Sequence, residues 1–365
     1  MTLLRPRLVW LLGLAFLAGL AACGHEPGFG EDTLDPRVRL LQRWVPHRAG
    51  DGELYFLDRF ETRIADYIVV RGDIVVRGDG RLSDRVVARG DAPGRSDADR
   101  ELPVDRIDVL EALAVARFFW GRLPRVDEWS QAVAGSAGFR FPWGDRFNAA
   151  LRANTAELGL WRRARVGSFE SGRSPASPLS CYDLVGNVAE WTLTPALAWW
   201  KPAAWEWPLF DSELALRDAR RLLAWLGRWP IFDPVEPWIA AAPEWLRLSS
   251  NWRVDLSVVG RSFADRVLPN EGGRRLLYEE HAPLDSSSHI GMRMATDPFT
   301  FLALLAKTEG RPSAADRKAL RLFLQEYREE FRAAALSLAE SLYPGAGSAP
   351  PAGSWAAGAW QALGL

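Results

Sequence analysis

The chain has few residues of the types that carry most metal and nucleophile chemistry. It contains two Cys and four His among 365 residues. No zincin, P-loop or Gly-x-Ser-x-Gly pattern occurs, so the sequence gives no support to those enzyme classes. Cys23 lies at the end of an apolar N-terminal segment, so Cys181 is the one Cys in the rest of the chain. The domain that follows therefore holds no internal disulfide.

Net charge is also small. The formal charge of -1 provides no whole-molecule field that would recruit nucleic acid. Three of the 45 basic residues are Lys, and the Arg residues are interleaved with Asp and Glu. This indicates biased composition rather than a binding patch. A hydrophobic fraction of 48% and a charged fraction of 25% are typical of a globular protein.

The N-terminus predicts a processing signal. Arg5 and Arg7 precede the apolar run 8–20, which is too short to span a bilayer but suits a signal peptide. The run ends in Leu-Ala-Ala-Cys-Gly and resembles a bacterial lipobox. That resemblance implies a signal peptide over 1–22, lipidation of Cys23 as the membrane anchor, and a tether over 23–51. Gly24 favours the outer membrane over the inner. The alternative is an ordinary secreted protein with a chance Cys.

Four short blocks place Gly, Asn or Asp beside aromatic residues, a pattern of tight turns anchored by buried rings. They are Phe141-Pro-Trp-Gly-Asp145, Ala153-Asn-Thr155, Val166-Gly-Ser-Phe169 and Tyr182-Asp-Leu-Val-Gly-Asn-Val-Ala-Glu-Trp-Thr192. In this order they resemble the formylglycine-generating enzyme (sulfatase-modifying factor) domain. The resemblance implies an α+β domain related to C-type lectins, with little regular secondary structure, over residues 52–297.

Flanking segments extend the resemblance in both directions. They are an opening strand in 54–67, a helix in 103–120, an Arg-Leu-Pro block at 122–129, a Gly-Arg-Ser-Phe block at 260–263 and a closing strand in 289–295. A near-repeat at 68–79 contains β-branched triplets separated by Gly-Asp, which predicts strands joined by turns. Its Arg-Gly-Asp also permits an integrin-binding interpretation, but Gly-Asp is ordinary turn chemistry.

Two appendages are predicted. Residues 195–252 form a Trp-rich helical insertion, either an aromatic surface for glycan or peptide or a subdomain buried against the core. Residues 298–344 form a helical appendage, in which Ser313 and Asp316 resemble a capping box and one apolar face runs from Leu320 to Leu342. Residues 345–365 are predicted to be a flexible tail.

Active members of the resembled family use two cysteines after the Gly-Arg-Ser-Phe position to bind copper(I). Counted by the family's spacing, those positions are Asp265 and Asn270 here. Carboxylate and amide oxygens are hard ligands and do not replace thiolates for copper(I). We therefore expect no copper and no confident catalytic residue. Asp265, Asn270 and Arg261 remain cleft candidates.

The sequence contains residues for two other chemistries. Cys181 would need a base such as His281 or His289 to act as a nucleophile. A branch of the same family joins sulfur to histidine derivatives with iron held by an added His-rich domain. Four His, and no His-x-Glu-x-His-like run, argue against that branch here.

The resemblance also implies a structural calcium ion. Asn187, Val188 and Glu190 match a family calcium loop that supplies hard oxygen ligands. The alternative is a metal-free turn in which Asn187 bonds the backbone. Asn154 begins a second family site, but its later acidic ligand is missing, so that site is predicted to be degraded.

These observations favour a lipid-anchored protein of the periplasmic cell envelope whose domain is a pseudoenzyme that binds an envelope protein or a glycan, with no nucleic acid partner. The alternative is an enzyme of the same family with altered chemistry around Asp265, Asn270 and Arg261. A third possibility is a structural partner of an envelope complex, bound through the helix near 313–343.

Overall fold

The computed structural model describes residues 34–50, 52–76, 97–174, 180–195, 256–267, 279–281, 287–342 and 350–365. The described residues from Asp35 onward form one compact unit. Its helices are α1 (Pro36–Leu40), α2 (Ile64–Val76), α3 (Asp97–Arg100), α4 (Val109–Phe118), α5 (Val126–Ala134), α6 (Pro298–Leu305), α7 (Ala314–Glu326), α8 (Arg328–Leu342) and α9 (Trp355–Leu363). Short 3-10 turns occupy 41–43, 149–151 and 170–172. The architecture is α+β, as predicted.

The strands of the described residues form two small sheets. The first has the order β1 (Trp44–Arg48), β2 (Leu54–Asp58), β7 (Ala295–Thr296), all antiparallel. The second has the order β5 (Glu279–His281), β4 (Leu256–Val259), β3 (Ala189–Pro195), β6 (Ile290–Gly291), with β3 and β6 parallel. All five residues of β2 are buried because β2 is the central strand of its sheet. This confirms the opening strand expected within 54–67.

The helices start where the sequence supplies caps. At α5, the Glu128 carboxylate accepts a hydrogen bond from the backbone N–H of Arg125. At α7, the predicted capping box is confirmed, with Ser313 and Asp316 each accepting from the other's backbone N–H. The single helix predicted to carry the apolar face from Leu320 to Leu342 is interrupted, although the apolar residues of that face are buried, namely Leu320, Phe323, Leu324, Phe331, Ala335 and Leu338. Tyr327 leaves the helical region (φ -122°, ψ 42°), so two helices replace one.

The prediction of strands over 68–79 is wrong for the described part. Residues 64–76 form helix α2 instead. The β-branched residues favour a strand locally, but Asp66 lies in the first helical turn and accepts from the backbone N–H of Arg63. Arg43 also pairs with Asp66 at 2.7 Å, and Val70 is buried. Tertiary contacts therefore override β-propensity.

Two segments predicted as linkers are folded. The predicted tether contains α1 and β1, and Trp44 and Val45 are buried there. The predicted tail contains α9, which begins at a Ser354 cap and ends at Gly364 with φ 74°. Its ordering follows from apolar burial of Trp355 and Trp360.

Three predictions concern residues outside the described ranges. They are the signal peptide with Cys23, the insertion beyond Pro195, and the cleft candidate Asn270. Within the described ranges, no helix is both long and apolar enough to cross a membrane.

Candidate functional site

A buried ion pair lies where the two sheets approach each other. Arg293 precedes β7 and Glu190 lies in β3, and both side chains are fully buried. The guanidinium contacts both carboxylate oxygens, with Nη2–Oε1 2.7 Å and Nε–Oε2 3.1 Å. It also donates to the backbone oxygens of Asp58 and Tyr182 at 3.0 and 2.7 Å. Arg293 thereby joins β2, β3 and the turn at 182–188.

Asn187 organises the turn that precedes β3. Its Oδ1 accepts from Asn154 Nδ2 at 3.0 Å and from the backbone N–H of Ala164 at 2.8 Å. Its Nδ2 donates to Glu61 Oε2 at 2.6 Å. The preceding Gly186 has φ 83°, and a Cβ there would lie 2.5 Å from the Asn154 carbonyl oxygen. Only glycine permits this close approach of the two turns.

Glu61 completes the arrangement from the segment after β2. Its Oε1 accepts from the backbone N–H of Val188 at 2.9 Å, and the residue is fully buried. Burial raises the pKa of Glu61 well above its usual range, and the nearby Asp183 and Glu190 raise it further. Burial also raises the pKa of Asp183 to about 6. We call Glu61, Asp183, Glu190 and Arg293 the buried charge cluster.

Sequence reasoning gave no role to Glu61 or Arg293. Glu61 lies in the opening strand segment 54–67, and Arg293 lies in the closing strand segment 289–295. Their partners are 126 and 103 residues away in the chain, respectively. The available signal was Arg293, the one charged residue in the otherwise apolar run 290–295, because a charge in such a position is usually paired. Glu61 gave no comparable signal, since other charged residues surround it in the chain.

The side chains of the predicted calcium loop are bonded to protein groups in this arrangement. Both Glu190 oxygens contact the Arg293 guanidinium, and Asn187 Oδ1 already accepts two hydrogen bonds. Val188 contributes its backbone N–H to Glu61. In the described part of the chain, no three His, Cys, Asp or Glu side chains form a group that could hold a metal. Calcium at this loop stays a prediction.

At the predicted second site, the side-chain oxygen of Asn154 is the atom that could bind a ligand. Its Nδ2 donates to Asn187 and to the Arg162 carbonyl, whereas its buried Oδ1 has no hydrogen-bond partner. One oxygen does not form a calcium site, since calcium takes six to eight.

Asp265, the position predicted for the first family cysteine, lies in a hydrogen-bonded turn. Asp265 Oδ2 accepts from the backbone N–H of Ser262 at 2.8 Å and from its hydroxyl at 2.5 Å. The Asp265 carbonyl accepts from Ala156, and Arg261 adopts φ 60° before this turn. Asn270 lies outside the described residues. The residue present at 265 does not fit copper(I), because its oxygen is hard and already bonded.

Cys181 is buried beside a histidine that sequence reasoning did not consider. Its Sγ lies 3.7 Å from Nε2 of His47 in β1, and Tyr55 stacks on that imidazole at 5.3 Å. The imidazole beside the thiol is thus that of His47. Burial raises the pKa of Cys181 to about 12 and lowers the pKa of His47 to about 4. At neutral pH both groups are uncharged, so the contact holds no thiolate.

Comparison with known families agrees with these motifs. The sulfatase-modifying factor enzyme 1-like domain matches residues 81–298, more than half of the chain. The chain belongs to this family.

Three curated relatives match part of the family domain. A formylglycine-generating enzyme of Mycobacterium tuberculosis is 35% identical over 99 residues, which cover 25% of this chain and 33% of that protein. A hercynine oxygenase of Mycolicibacterium thermoresistibile is 35% identical over 107 residues, 28% of this chain and 23% of that protein. The inactive C-alpha-formylglycine-generating enzyme 2 of Mus musculus is 33% identical over 102 residues, 25% of this chain and 32% of that protein. The chain thus matches no more than about a third of the length of these relatives.

Proposed function

We propose that this protein is a cell-envelope lipoprotein whose family domain binds a ligand or partner protein and does not catalyse the family's thiol oxidation. The observation that carries the proposal is the turn at 262–265. Asp265 stands where a copper-binding thiol is expected, and its carboxylate is bonded to Ser262. A copper(I) centre needs soft ligands, and this position offers none.

The remaining thiol supports the same conclusion. Cys181 is fully buried, and its raised pKa keeps it protonated at neutral pH. A protonated thiol is neither a nucleophile nor a good metal ligand. The relatives are named both as enzymes and as an inactive protein, so the family name alone does not decide activity.

The charged groups at the centre of the fold support a scaffold role. The Arg293 guanidinium bonds the Glu190 carboxylate, and the Glu61 carboxylate accepts from the backbone N–H of Val188. All three side chains are buried. A binding module needs such internal bonds, because they hold surface loops in one conformation before the ligand arrives.

Lipidation of Cys23 is the second half of the proposal. It rests on the basic residues, the apolar run 8–20 and the Leu-Ala-Ala-Cys-Gly sequence. Radiolabelled palmitate supplied to a diderm bacterial host should label the protein, and Cys23→Ser should abolish the label. Labelling that survives Cys23→Ser would overturn the assignment, while Cys181→Ser serves as the control that keeps the label.

The proposed lack of thiol oxidation is tested by mass spectrometry of a Cys-containing sulfatase peptide. Incubated with copper-loaded protein and oxygen, the peptide should keep its thiol, while an active family member converts it to the aldehyde. We expect copper to be substoichiometric after dialysis. Stoichiometric copper with aldehyde product would establish the alternative, an enzyme with altered chemistry around Asp265, Asn270 and Arg261.

A further inference from the structure

One face of the domain concentrates positive charge although the whole chain does not. The segments 140–173 and 261–267 contain nine Arg and four acidic residues. The net charge of the whole chain is -1. The sequence predicted no basic patch, because Asp and Glu are interleaved with Arg along the chain as a whole. We call the surface of these two segments the arginine surface.

The acidic residues of this surface are engaged in local bonds. Asp145 accepts from the backbone N–H of Arg140, Glu157 from that of Val267, and Asp265 from Ser262. Glu170 pairs with Arg173 at 3.0 Å.

Some arginines of the surface are engaged as well. Arg152 donates to the Ser171 carbonyl, and Arg163 and Arg173 pair with Asp105 and Glu170 at 3.0 Å. Four other arginines are open to a ligand. Arg146, Arg162, Arg165 and Arg266 are exposed. Among the residues that the structure describes, none of the four forms an ion pair with a carboxylate. The surface therefore presents a positive field and several available guanidinium groups.

Hydrogen bonds hold the pieces of the surface together. The Asn154 amide bonds the Arg162 carbonyl at 2.9 Å. Ala156 bonds the Asp265 carbonyl at 2.9 Å, and the Ser171 hydroxyl bonds the Leu151 carbonyl at 3.1 Å. These bonds link 151–157, 162–164, 171 and 265–267. These four pieces therefore form one continuous part of the surface, and they rest on the buried amides of Asn154 and Asn187.

Large apolar side chains project from the same surface. Trp161 is 62% exposed, Leu151 72% and Phe147 36%. Each of the three adjoins an arginine in the chain, at 162, 152 and 146 respectively. Large exposed apolar residues on a monomer surface mark interaction sites when they cluster. Trp and Arg are also the residues that most often dominate binding energy at protein interfaces.

We propose that the arginine surface binds an acidic polypeptide segment that carries bulky apolar side chains, on a partner protein. This inference rests on the proposed function, and it names the class of partner. Guanidinium forks bind carboxylates in a bidentate manner, and the neighbouring Trp161 and Leu151 offer apolar contact beside each carboxylate. The alternation of Arg with apolar residues matches a ligand in which acidic and apolar side chains alternate.

The test uses the full chain in a neutral maltoside detergent and a fluorescein-labelled 16-residue peptide of repeated Glu-Asp-Leu-Phe. Fluorescence anisotropy should show saturable binding that weakens at least tenfold between 50 and 300 mM salt. Two control peptides, with Lys for the acids or Ser for Leu and Phe, should bind at least tenfold more weakly.

Matched variants place the binding on this surface. W161A/R162E should lower the affinity at least tenfold. R321E/L322A on α7 also replaces one exposed arginine and one exposed apolar residue, and should leave the affinity unchanged. Unchanged melting temperatures would show that both variants fold.

Three outcomes would overturn the inference. They are equal affinity of the two variants, equal affinity of the Lys peptide, and binding to phosphatidylglycerol vesicles without binding to the acidic peptide. The peptides contain no Cys, so their binding is independent of thiol oxidation. Aldehyde product in the mass spectrometric assay would overturn the proposed function, whereas failed peptide binding alone would overturn only this inference.

Discussion

At the scale of single residues, the buried ion pair of Arg293 and Glu190 is the most consequential interaction. Removing one partner of a buried pair leaves the other charge without compensation in a medium of low dielectric. Arg293 also bonds two backbone carbonyls, and three carboxylates lie near it. Its role is structural, since neither side chain reaches the surface.

Arg293→Met should therefore lower the free energy of unfolding by about 3–5 kcal/mol. Arg173→Met is the matched control, because Arg173 pairs with Glu170 on the surface and such pairs contribute less than about 1 kcal/mol. Urea unfolding followed by tryptophan fluorescence measures both. A loss below 1 kcal/mol for Arg293→Met would contradict the structural role of the cluster.

Asp183 gives the fold a pH dependence whose sign follows from its raised pKa. The folded state keeps a proton up to about pH 6, whereas the unfolded chain releases it near pH 4. The folded state thus binds more protons between these values, and stability falls as the pH rises from 4 to 6. The loss for one such group is on the order of 2–3 kcal/mol.

Asp183→Asn should remove that share of the pH dependence. Carboxylates with lowered pKa, such as Asp66 at about 2, contribute mainly below pH 4 and do not mask it. Chemical unfolding at pH 4, 5, 6 and 7 compares the two proteins. Parallel curves of stability against pH would count against a protonated Asp183.

At the scale of elements, capped and strongly patterned segments were predictable, and segments that depend on distant partners were not. The capping box of α7 is local, so four residues of sequence were sufficient to predict it. Helix α2 was mistaken for strands because its ordering uses the pairing of Asp66 with Arg43, 23 residues away. Helix α9 was mistaken for a tail because its Gly/Ala composition conceals two buried Trp.

The turn between Asn154 and Asn187 yields a sharp test of close packing. Gly186→Ala should cost about 2 kcal/mol or more, since it combines positive φ with a Cβ placed 2.5 Å from a carbonyl oxygen. Gly159→Ala has a similar φ of 76° and no atom within 4 Å, so it should cost about 1 kcal/mol. Equal losses in thermal unfolding would show that the two turns do not approach as described.

Helix α9 should contribute substantially to stability. Trp355 is buried, and its ring centroid lies 5.3 Å from that of Trp120. The Cζ atom of Arg37 lies 5.3 Å from the same Trp355 centroid. Trp355→Ala should cost about 3–5 kcal/mol, the usual range for a buried Trp. Leu365→Ala, at a 41% exposed residue, should change stability by less than about 0.5 kcal/mol. If residues 355–363 were instead a mobile tail, neither substitution would change the free energy of unfolding.

At the scale of the whole molecule, short ordered motifs identified the family although each motif is weak alone. The same motifs contain Asn154, Asn187 and Glu190, which are buried in the structure. Their partners were not predictable, because Glu61 and Arg293 contact them only through the tertiary fold. The positive face at 140–173 was equally hidden, since it depends on which acidic residues bond internally.

The central claim is that the family fold persists here without its oxidase centre. The most direct measurement is dioxygen uptake by the purified, copper-loaded protein in the presence of a Cys-containing peptide, followed with an oxygen electrode. We expect uptake equal to that of free copper with the same peptide. Saturable, protein-dependent uptake that matches aldehyde formation mole for mole would contradict the claim.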